Sequence, residues 1–435
     1  MARNSKAVDF YDIQDAVAFN IPVDSDNPFY VNFTPYRADF TEKKVFKHLG
    51  INPRTTACRH QNSSVRMFLS GYRGTGKTSE LLNLTKKIDE TKCYFTVFID
   101  ISDEDTDTAN IETVDVLILM LKKVIELLKE RGADVSNETI SDFYNWYKSS
   151  IVEEINKSVE GSAKVEVGVD MKNTLFNFIG LVGNTQVKLQ GSNESKTVIR
   201  REINNNFKMF GTRFNEFINA LVRQFRDKKH YQDILFIVDG FERIGSLEDR
   251  RKILIDDANK FTIIDAHMII TLPIELLNEK NCINNFATIE NFPLIDLKKE
   301  GATECFRSFI LKRVDIKLFD SDATIDKIIE FGAGHPRQTL QIIKRAYIEA
   351  EEEILDLASV EKSIEILAAE MSQVDDEEIA LLKKVNAKEI IAENNDIYRR
   401  LKSKNIIFEY NNNSEDNIIN PIVLADMDFQ KLLKK

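Results

Sequence analysis

The chain has 435 residues, of which 43% are hydrophobic and 30% charged, so it is long enough for about three domains at roughly 150 residues each. With only 16 glycines and 8 prolines, the composition excludes a fibrous or disordered chain and favours a helix-rich soluble protein. The formal net charge of −11 disfavours a bulk electrostatic grip on DNA or RNA, because phosphate binding needs a positive field.

The cysteines and the amino-terminal residues predict a compartment. Cys58, Cys93, Cys282 and Cys305 are scattered, with no CxxC pair, which is more typical of free thiols than of a disulfide framework. The Met1–Lys6 segment has no apolar signal core, and no stretch of about 18 apolar residues could span a bilayer. We therefore expect a cytoplasmic protein without membrane partners.

The first third of the chain predicts the start of an α/β domain. Residues 1–64 form an irregular lead-in with one short helix, Glu42–Leu49. A short apolar run, Val65–Ser70, is typical of a buried strand. The next predicted elements are a helix at Ser79–Asp89, a strand at Cys93–Asp100 and an amphipathic helix at Ile111–Arg131.

Residues 132–200 are predicted to be an insertion. Ser141–Glu160 has a helical pattern, but later valines and leucines alternate with polar residues at Val165, Val167, Val169, Val187 and Leu189. This strand period, with the apolar run Leu175–Val182 between, predicts a β-hairpin packed on its own domain. The alternative is an exposed edge for self-association or partner capture.

A parallel sheet is predicted from the segments that follow. The Thr197–Lys229 segment reads as one long helix with a core-facing stripe at three- and four-residue spacings, comprising Phe207, Phe210, Phe214, Phe217, Leu221 and Phe225. Ile234–Val238 is a near-continuous apolar run, as in a strand buried on both faces of a parallel sheet. Ala266–Thr271 is another such strand, and Ile289–Ile295 is a weaker one. The alternation of helices and strands predicts an open α/β sheet.

The last part of the chain changes pattern twice. Lys298–Ala369 reads entirely as helix, which suits an all-α lid. From Asp375, three helices precede two strands, Asn405–Tyr410 and one ending before Pro421, joined by the polar turn Asn411–Ser414. This order predicts a winged helix. The predicted domains are a lead-in (1–64), an α/β domain (65–297, insertion 132–200), a lid (298–370) and a winged-helix domain (371–435).

A phosphate cradle is predicted at Gly71-Tyr72-Arg73-Gly74-Thr75-Gly76-Lys77-Thr78, which fits G-x-x-x-x-G-K-[ST] between a strand and a helix. Glycines allow successive backbone N–H groups to surround phosphate. Lys77 supplies a charge for the β- and γ-phosphates, Thr78 a hydroxyl ligand for Mg²⁺, and Ser79 begins the helix whose amino terminus faces the anion. We expect ATP and Mg²⁺ as cofactors, since no N-K-x-D run for guanine occurs.

An acidic strand end completes the predicted site. The run Ile234–Val238 ends in Asp239, and a carboxylate at the carboxyl end of a parallel strand faces the ligand crevice. Asp239 is therefore predicted to bind the metal, with a turn residue as the alternative. Glu242 is predicted to activate water for attack on the γ-phosphate, with a solvated helix acid as the alternative. Arg243 is either an arginine finger, an intersubunit contact residue or a surface charge.

Two further elements are predicted to sense the nucleotide. Thr271 ends its strand between the two phosphate-site strands, where a hydroxyl could contact the γ-phosphate; the alternative is a strand-capping threonine. Gly334-His335-Pro336-Arg337 separates two helices, and proline suits the first turn of the second helix. Arg337 could approach phosphate while His335 and Pro336 pack near the base, unless the segment is an ordinary helix connection.

These motifs in this order resemble the AAA+/STAND ATPases, especially the branch near the origin-recognition ATPases. The resemblance covers about residues 65–435 and implies a helical lid and winged helix that hold nucleotide and switch the assembly state. The chain departs from the family pattern in three ways: it has the insertion, it shows no evident arginine finger, and it lacks a long sensor domain. These departures fit a small regulatory switch. Stand-alone bacterial ATPases of this kind often belong to anti-phage or mobile-element systems.

The favoured function is a nucleotide-dependent switch that controls self-association or an effector protein. The alternative is a DNA-binding or DNA-loading ATPase, supported by the winged helix and by a basic cluster, Arg399-Arg400-Leu401-Lys402-Ser403-Lys404. A metabolic kinase is a third, disfavoured reading, because the Asp-x-x-Glu arrangement and the lid do not suit it.

Overall fold

The computed structural model describes residues 5–59, 63–102, 107–132, 137–158, 165, 174–190, 193–228, 230–277, 279, 286, 288–392, 395–410 and 417–434. Its five long strands are β1 (Arg66–Gly71), β2 (Tyr94–Asp100), β3 (Asp233–Asp239), β4 (His267–Pro273) and β5 (Thr288–Asn291). They form one parallel sheet in the spatial order β2-β3-β4-β1-β5. The predicted α/β fold with a parallel sheet is therefore confirmed.

The sheet is buried on both faces, which explains its continuous apolar strands. Alternate residues of β3 enter different cores, with Phe236 and Val238 in one cluster and Leu235 and Ile237 in the other. The helices up to β4 are α1 (Ile13–Ala16), α2 (Glu42–His48), α3 (Lys77–Glu90), α4 (Thr113–Glu130), α5 (Asn137–Tyr147), α6 (Glu153–Ser158), α7 (Thr174–Gln190), α8 (Asn193–Asn205), α9 (Phe207–Asp227), α10 (Leu247–Arg251) and α11 (Ala258–Ile263).

The predicted β-hairpin in the insertion is wrong for residues 174–190, which form α7. Phe178, Leu181, Val182 and Thr185 are all fully buried, and their three- and four-residue spacing is the helical period. The short alternation at Val187 and Leu189 misled the prediction, since Val187 is simply exposed at 60%. A helix leaves no strand edge in this segment for partner capture. Val167 and Val169 lie outside the described residues.

The predicted helix at Thr197–Lys229 is two helices, α8 and α9, which are separated at Asn206. The apolar stripe is nevertheless core, as predicted: from Phe210 to Phe225 its members are buried, and Phe207 packs against them partly buried. The stripe joins the insertion helices to the sheet in one cluster.

The carboxyl-terminal part begins with the predicted helical region, confirmed as α12 (Ala302–Leu311), α13 (Asp322–Gly332), α14 (Pro336–Glu349) and α15 (Leu357–Met371). It continues with α16 (Asp376–Asn386), α17 (Asp396–Ser403), the antiparallel pair β6 (Ile407–Phe408) and β7 (Ile418–Ile419), α18 (Pro421–Ala425) and α19 (Met427–Lys434). Among the described residues after Asp375, two helices rather than three precede the strand pair. The Asn411–Ser414 turn lies outside the described residues, and the winged helix stays a prediction.

The free-thiol prediction is wrong for Cys58 and Cys93, which form a disulfide. An isolated antiparallel β-bridge between Ile51 and Cys58 folds the loop after α2 back on itself and brings Cys58 to the start of β2. The two cysteines are 35 residues apart in the chain, so the sequence does not reveal that they are close. Cys305 is free and half-buried, and Cys282 lies outside the described residues. Within the described part of the chain, no helix is long and apolar enough to cross a membrane.

Candidate functional site

The predicted phosphate loop connects β1 to α3 at the carboxyl edge of the sheet. Gly74 and Gly76 both have φ of 92°, a conformation that L-residues with side chains rarely adopt. A Cβ on Gly74 would also lie 2.8 Å from the Cβ of Arg337, so this glycine permits close approach of the lid helix α14. Gly76 is the N-cap of α3, whose amino terminus opens toward the loop.

Lys77 lies in the first turn of α3 and is 5% exposed. Its ammonium donates to the carbonyl oxygens of Gly71 at 2.9 Å and Tyr72 at 2.8 Å. Its Nζ is also 4.0 Å from Oε1 of Glu242. A buried ammonium held against a glycine-rich loop is a strong local source of positive charge.

Two carboxylates follow β3. Asp239 is 1% exposed, and neither of its carboxylate oxygens accepts a hydrogen bond from a described residue. Burial and the negative charge of Glu242 raise the pKa of Asp239 to about 6, although the nearby Thr78 hydroxyl and Lys77 oppose the rise. An unpartnered buried carboxylate is costly, and this one lies where a hard cation would satisfy it.

Glu242 lies in the 3-10 turn Phe241–Arg243, which follows Gly240. Burial favours its neutral form, but the charge of Lys77, a backbone hydrogen bond and the charges of Arg243 and Arg73 together outweigh burial and hold the pKa of Glu242 below its ordinary value. One carboxylate oxygen, Oε2, has no partner among the described residues. The neighbouring Arg243 contacts Asp100 at 3.4 Å and hydrogen-bonds Ser102, so its guanidinium turns toward the end of β2.

Thr271 lies in β4, which separates β1 from β3. Since Val238 pairs with Ile270, Thr271 stands level with Asp239 on the neighbouring strand. Its side chain is fully buried, and its hydroxyl has no partner among the described residues. The strand continues to Pro273, two residues beyond the predicted end, so Thr271 is within the strand and not its last residue.

The lid segment is bonded directly to the phosphate loop. The N–H of Gln338 donates to Nδ1 of His335 at 3.1 Å, which places the proton of a neutral imidazole on Nε2. That nitrogen donates to the Arg73 carbonyl at 2.9 Å. Burial lowers the pKa of His335 to about 4, so the ring is neutral at physiological pH. The Arg337 N–H donates to Gly74 O at 3.2 Å.

Arg337 carries the positive charge of this segment. Burial, together with the charges of Arg73 and Arg243, lowers its pKa, while Glu242 acts in the opposite direction. Its Nε has no partner among the described residues. Arg337, Arg243, Lys77 and Thr78 line the same cleft, together with Pro336 in the first turn of α14. A cleft with several cations and few acids suits a polyphosphate.

The other wall of the cleft comes from a segment that the sequence prediction treated only as a lead-in. This N-terminal strap (residues 7–37) is bonded to α3: the Val23 N–H donates to Ser79 Oγ at 3.0 Å, and the Ser25 N–H to Asn83 Oδ1 at 2.8 Å. Side chains of the strap and the lid line the same cleft, where Phe19, Val23 and Tyr30 face it together with Phe309 and Leu340. A wall with these apolar and aromatic side chains suits a flat aromatic base.

Arg37 is the strap residue closest to the phosphate loop. Its side chain is 5% exposed. Nη2 donates a hydrogen bond to Thr75 O at 2.6 Å, and Nη1 donates one to Pro293 O. The guanidinium also lies 3.8 Å from the centre of the Phe292 ring. Burial lowers the pKa of Arg37 to about 9. A lone arginine in an irregular segment has no motif around it, so only its tertiary contacts reveal it.

The structure thus brings most of the predicted residues together: Gly74, Thr75, Gly76, Lys77, Thr78, Ser79, Glu242, Pro336 and Arg337 line one cleft. Tyr72 is placed differently, because its ring is buried on the far side of the loop against Phe408. Arg73 is exposed and lines a second groove beside α17. His335 acts on the cleft only through its bonds to the loop.

The chain is similar to two solved structures. The Orc1 protein of Aeropyrum pernix in complex with DNA matches at a TM-score of 0.35 and 11% identity, with 97% of this chain and 96% of that chain covered. Cdc6p from Pyrobaculum aerophilum matches at 0.34 and 12%, with coverage of 95% and 99%. No family model and no curated protein matches the chain.

Proposed function

We propose that this protein is a Mg²⁺-dependent ATPase that acts as a nucleotide-controlled switch. The observation that carries the proposal is the buried carboxylate of Asp239, unpartnered among the described residues, beside Lys77 and Thr78. A carboxylate and a hydroxyl at the start of a helix are the ligands that Mg²⁺ takes in phosphate-loop sites. Thr78 and Asp239 would hold the ion, which supplies positive charge to the β- and γ-phosphate oxygens when bound.

The roles of the other groups follow from their charge and position. Lys77 would exchange its two carbonyl contacts for phosphate oxygens. Glu242, whose pKa is lowered by Lys77 together with the neighbouring arginines and a backbone hydrogen bond, would orient a water and accept its proton as the water oxygen bonds to the γ-phosphorus and the bond to the ADP oxygen breaks. Arg337 would stabilise the charge of the γ-phosphate from the lid side.

The switch follows from the bonds between lid and loop. Because His335 and Arg337 are bonded to the carbonyls of Arg73 and Gly74, a change at the phosphates changes the energy of the lid position. The lid then controls self-association or an effector protein. Such a role is of the kind that the family resemblance implies for stand-alone ATPases of anti-phage systems.

The DNA-binding alternative receives less support from the basic cluster than its sequence suggests. Within residues 395–410, each of its cations contacts a carboxylate: Arg399 contacts Glu279 at 3.4 Å, Arg400 and Lys404 contact Glu378 at 2.9 and 2.7 Å, and Lys402 contacts Glu409. DNA phosphates would have to compete with these acids.

The experiment that tests the proposal is a measurement of ATP binding by calorimetry and of phosphate release with and without Mg²⁺, followed by light scattering without nucleotide, with ADP and with a non-hydrolysable ATP analogue. We expect ATP to bind, Mg²⁺ to be required for hydrolysis, and the mass to change only with the ATP analogue. Absence of ATP binding would overturn the proposed ATPase activity. ATP binding at constant mass would overturn self-association and leave a separate effector, and salt-sensitive DNA binding would support the alternative.

A further inference from the structure

An aromatic side chain of the carboxyl-terminal strand pair connects the phosphate loop to the lid. Phe408 in β6 is fully buried. Its ring packs edge-on against Tyr72, with centroids 5.8 Å apart and planes at 85°. It also stacks on His335, with centroids 5.8 Å apart and planes at 12°. Both geometries are favourable aromatic arrangements, so one side chain contacts both parts of the candidate site from outside the cleft.

The strand pair is fixed to the lid by polar contacts on both sides of Phe408. The Tyr410 hydroxyl donates to Ala333 O at 2.7 Å. The side-chain amides of Gln338 and Asn420 bond each other in both directions, at 3.1 and 2.8 Å, and both are buried. Buried, satisfied polar pairs specify one arrangement. The position of Phe408 relative to His335 is therefore fixed.

The ring of Tyr72 transmits this position to the loop backbone. Tyr72 is 2% exposed, and its carbonyl accepts hydrogen bonds from Lys77 Nζ at 2.8 Å and from Thr75 Oγ1 at 2.9 Å. On the other side, His335 holds the Arg73 carbonyl. Two consecutive carbonyls of the loop thus depend on the two rings that Phe408 contacts, while Phe408 itself is absent from the lining of the cleft.

We propose that Phe408 is a positioning residue for the nucleotide site, which holds Tyr72 and His335 so that the phosphate loop is preorganised for ATP. The inference rests on the proposed function. Preorganisation acts on binding before chemistry, so its loss raises the KM for ATP and leaves kcat nearly unchanged. The carboxyl-terminal part of the chain is then a component of the nucleotide site.

The test compares Phe408→Ala with Phe429→Ala, a matched control. Phe429 is also a buried phenylalanine (2% exposed) of the carboxyl-terminal part, but it packs in a separate core that contains no phosphate-loop residue. We expect Phe408→Ala to weaken ATP binding about ten-fold with kcat within about two-fold, and Phe429→Ala to lower the Tm without changing the affinity. Phe408→Tyr, which keeps both ring contacts, restores the affinity.

Unchanged ATP affinity in Phe408→Ala, or an equal loss in Phe429→Ala, would overturn the inference. If Phe408→Ala does not fold, hydrogen exchange of the wild-type protein decides the question. Coupling between Phe408 and the nucleotide site is reciprocal, so ATP binding must change the exchange protection of residues 406–410. Unchanged protection of these residues overturns the inference. Failure of the proposed function is seen separately, as absence of ATP binding by the wild-type protein or wild-type affinity in Lys77→Ala.

Discussion

Nε2 of His335 donates a hydrogen bond to the backbone carbonyl of Arg73 at 2.9 Å, while Nδ1 accepts one from the N–H of Gln338. The two bonds use both nitrogens of a neutral ring, and one side chain caps α14 and holds the phosphate loop. Protonation would convert Nδ1 into a donor facing a donor, which removes the cap. The charge state of one histidine therefore governs the junction of loop and lid.

The first prediction concerns pH. Burial lowers the pKa of His335 to about 4 in the folded protein, compared with about 6.5 in the unfolded chain. Between pH 6.5 and pH 4 the unfolded chain therefore binds more protons than the folded protein. As the pH falls through this range, the free energy of unfolding decreases. We expect this residue to remove about 3 kcal/mol of the free energy of unfolding from pH 7.5 to 4. Asp239 has a raised pKa, so its contribution to the free energy of unfolding increases as the pH falls. To isolate His335, the free energies of unfolding of wild type and His335→Gln are measured with denaturant at each pH and subtracted. A constant difference across pH would contradict the prediction.

The second prediction concerns Lys77. Its ammonium is the charge that the loop presents to phosphate, so Lys77→Ala should weaken ATP binding about 10- to 100-fold, as expected for a lost charge-assisted hydrogen bond. Lys86→Ala on the same helix is the control, since Lys86 pairs with the exposed Asp26 at 2.7 Å away from the cleft. Calorimetric titration measures both. Similar affinities for the two variants would exclude the phosphate role.

The third prediction separates binding from hydrolysis. Glu242→Gln keeps the size of the side chain but cannot accept a proton, so kcat should fall about 10²- to 10⁴-fold while ATP still binds. Steady-state phosphate release measures the effect. Glu248→Gln, at an exposed position of α10, should keep wild-type turnover. Wild-type turnover in Glu242→Gln would show that another group activates the water.

The fourth prediction concerns the unpartnered acid. Because burial and the charge of Glu242 raise the pKa of Asp239 above its ordinary value, its ionised form destabilises the fold at about pH 8. Asp239→Asn should therefore raise the Tm without ligand and abolish the further rise with Mg²⁺ and ATP. Asp233→Asn at the start of β3 should lower the Tm, since the contact with His267, the Ile234 N–H and the charge of Arg226 together overcome burial and keep the pKa of Asp233 low. A lower Tm in Asp239→Asn would contradict this account.

The fifth prediction concerns the strap. Arg37→Lys keeps the charge but loses the planar fork that reaches Thr75 O and Pro293 O together. We expect weaker ATP binding, by about ten-fold, and a lower Tm. The exposed Arg54→Lys is the control. Differential scanning fluorimetry with an ATP titration measures both effects, and unchanged affinity would reduce Arg37 to a structural role.

The sequence is most informative where a motif is local. The phosphate loop could be predicted because strand, glycines, Lys77 and helix are consecutive, and the sheet because its strands are continuous apolar runs. The hairpin prediction failed because a few alternating residues at Val187 and Leu189 weighed more than the helical spacing before them. The roles of Arg37 and Phe408 could not be predicted, since their contacts join residues far apart in the chain and no motif surrounds either one.

The strap has a consequence for synthesis on the ribosome. Ala7 exchanges backbone hydrogen bonds with Arg313 and Asp315, and the Phe29 carbonyl accepts from the Arg313 guanidinium at 3.0 Å. The amino-terminal wall of the cleft therefore lacks its lid contacts until the lid helices have been translated, whereas β1 and α3, to which the strap also bonds, are made early. A nascent chain would expose the phosphate loop before its walls are complete, so the capacity to bind nucleotide arises only after the lid helices have been translated.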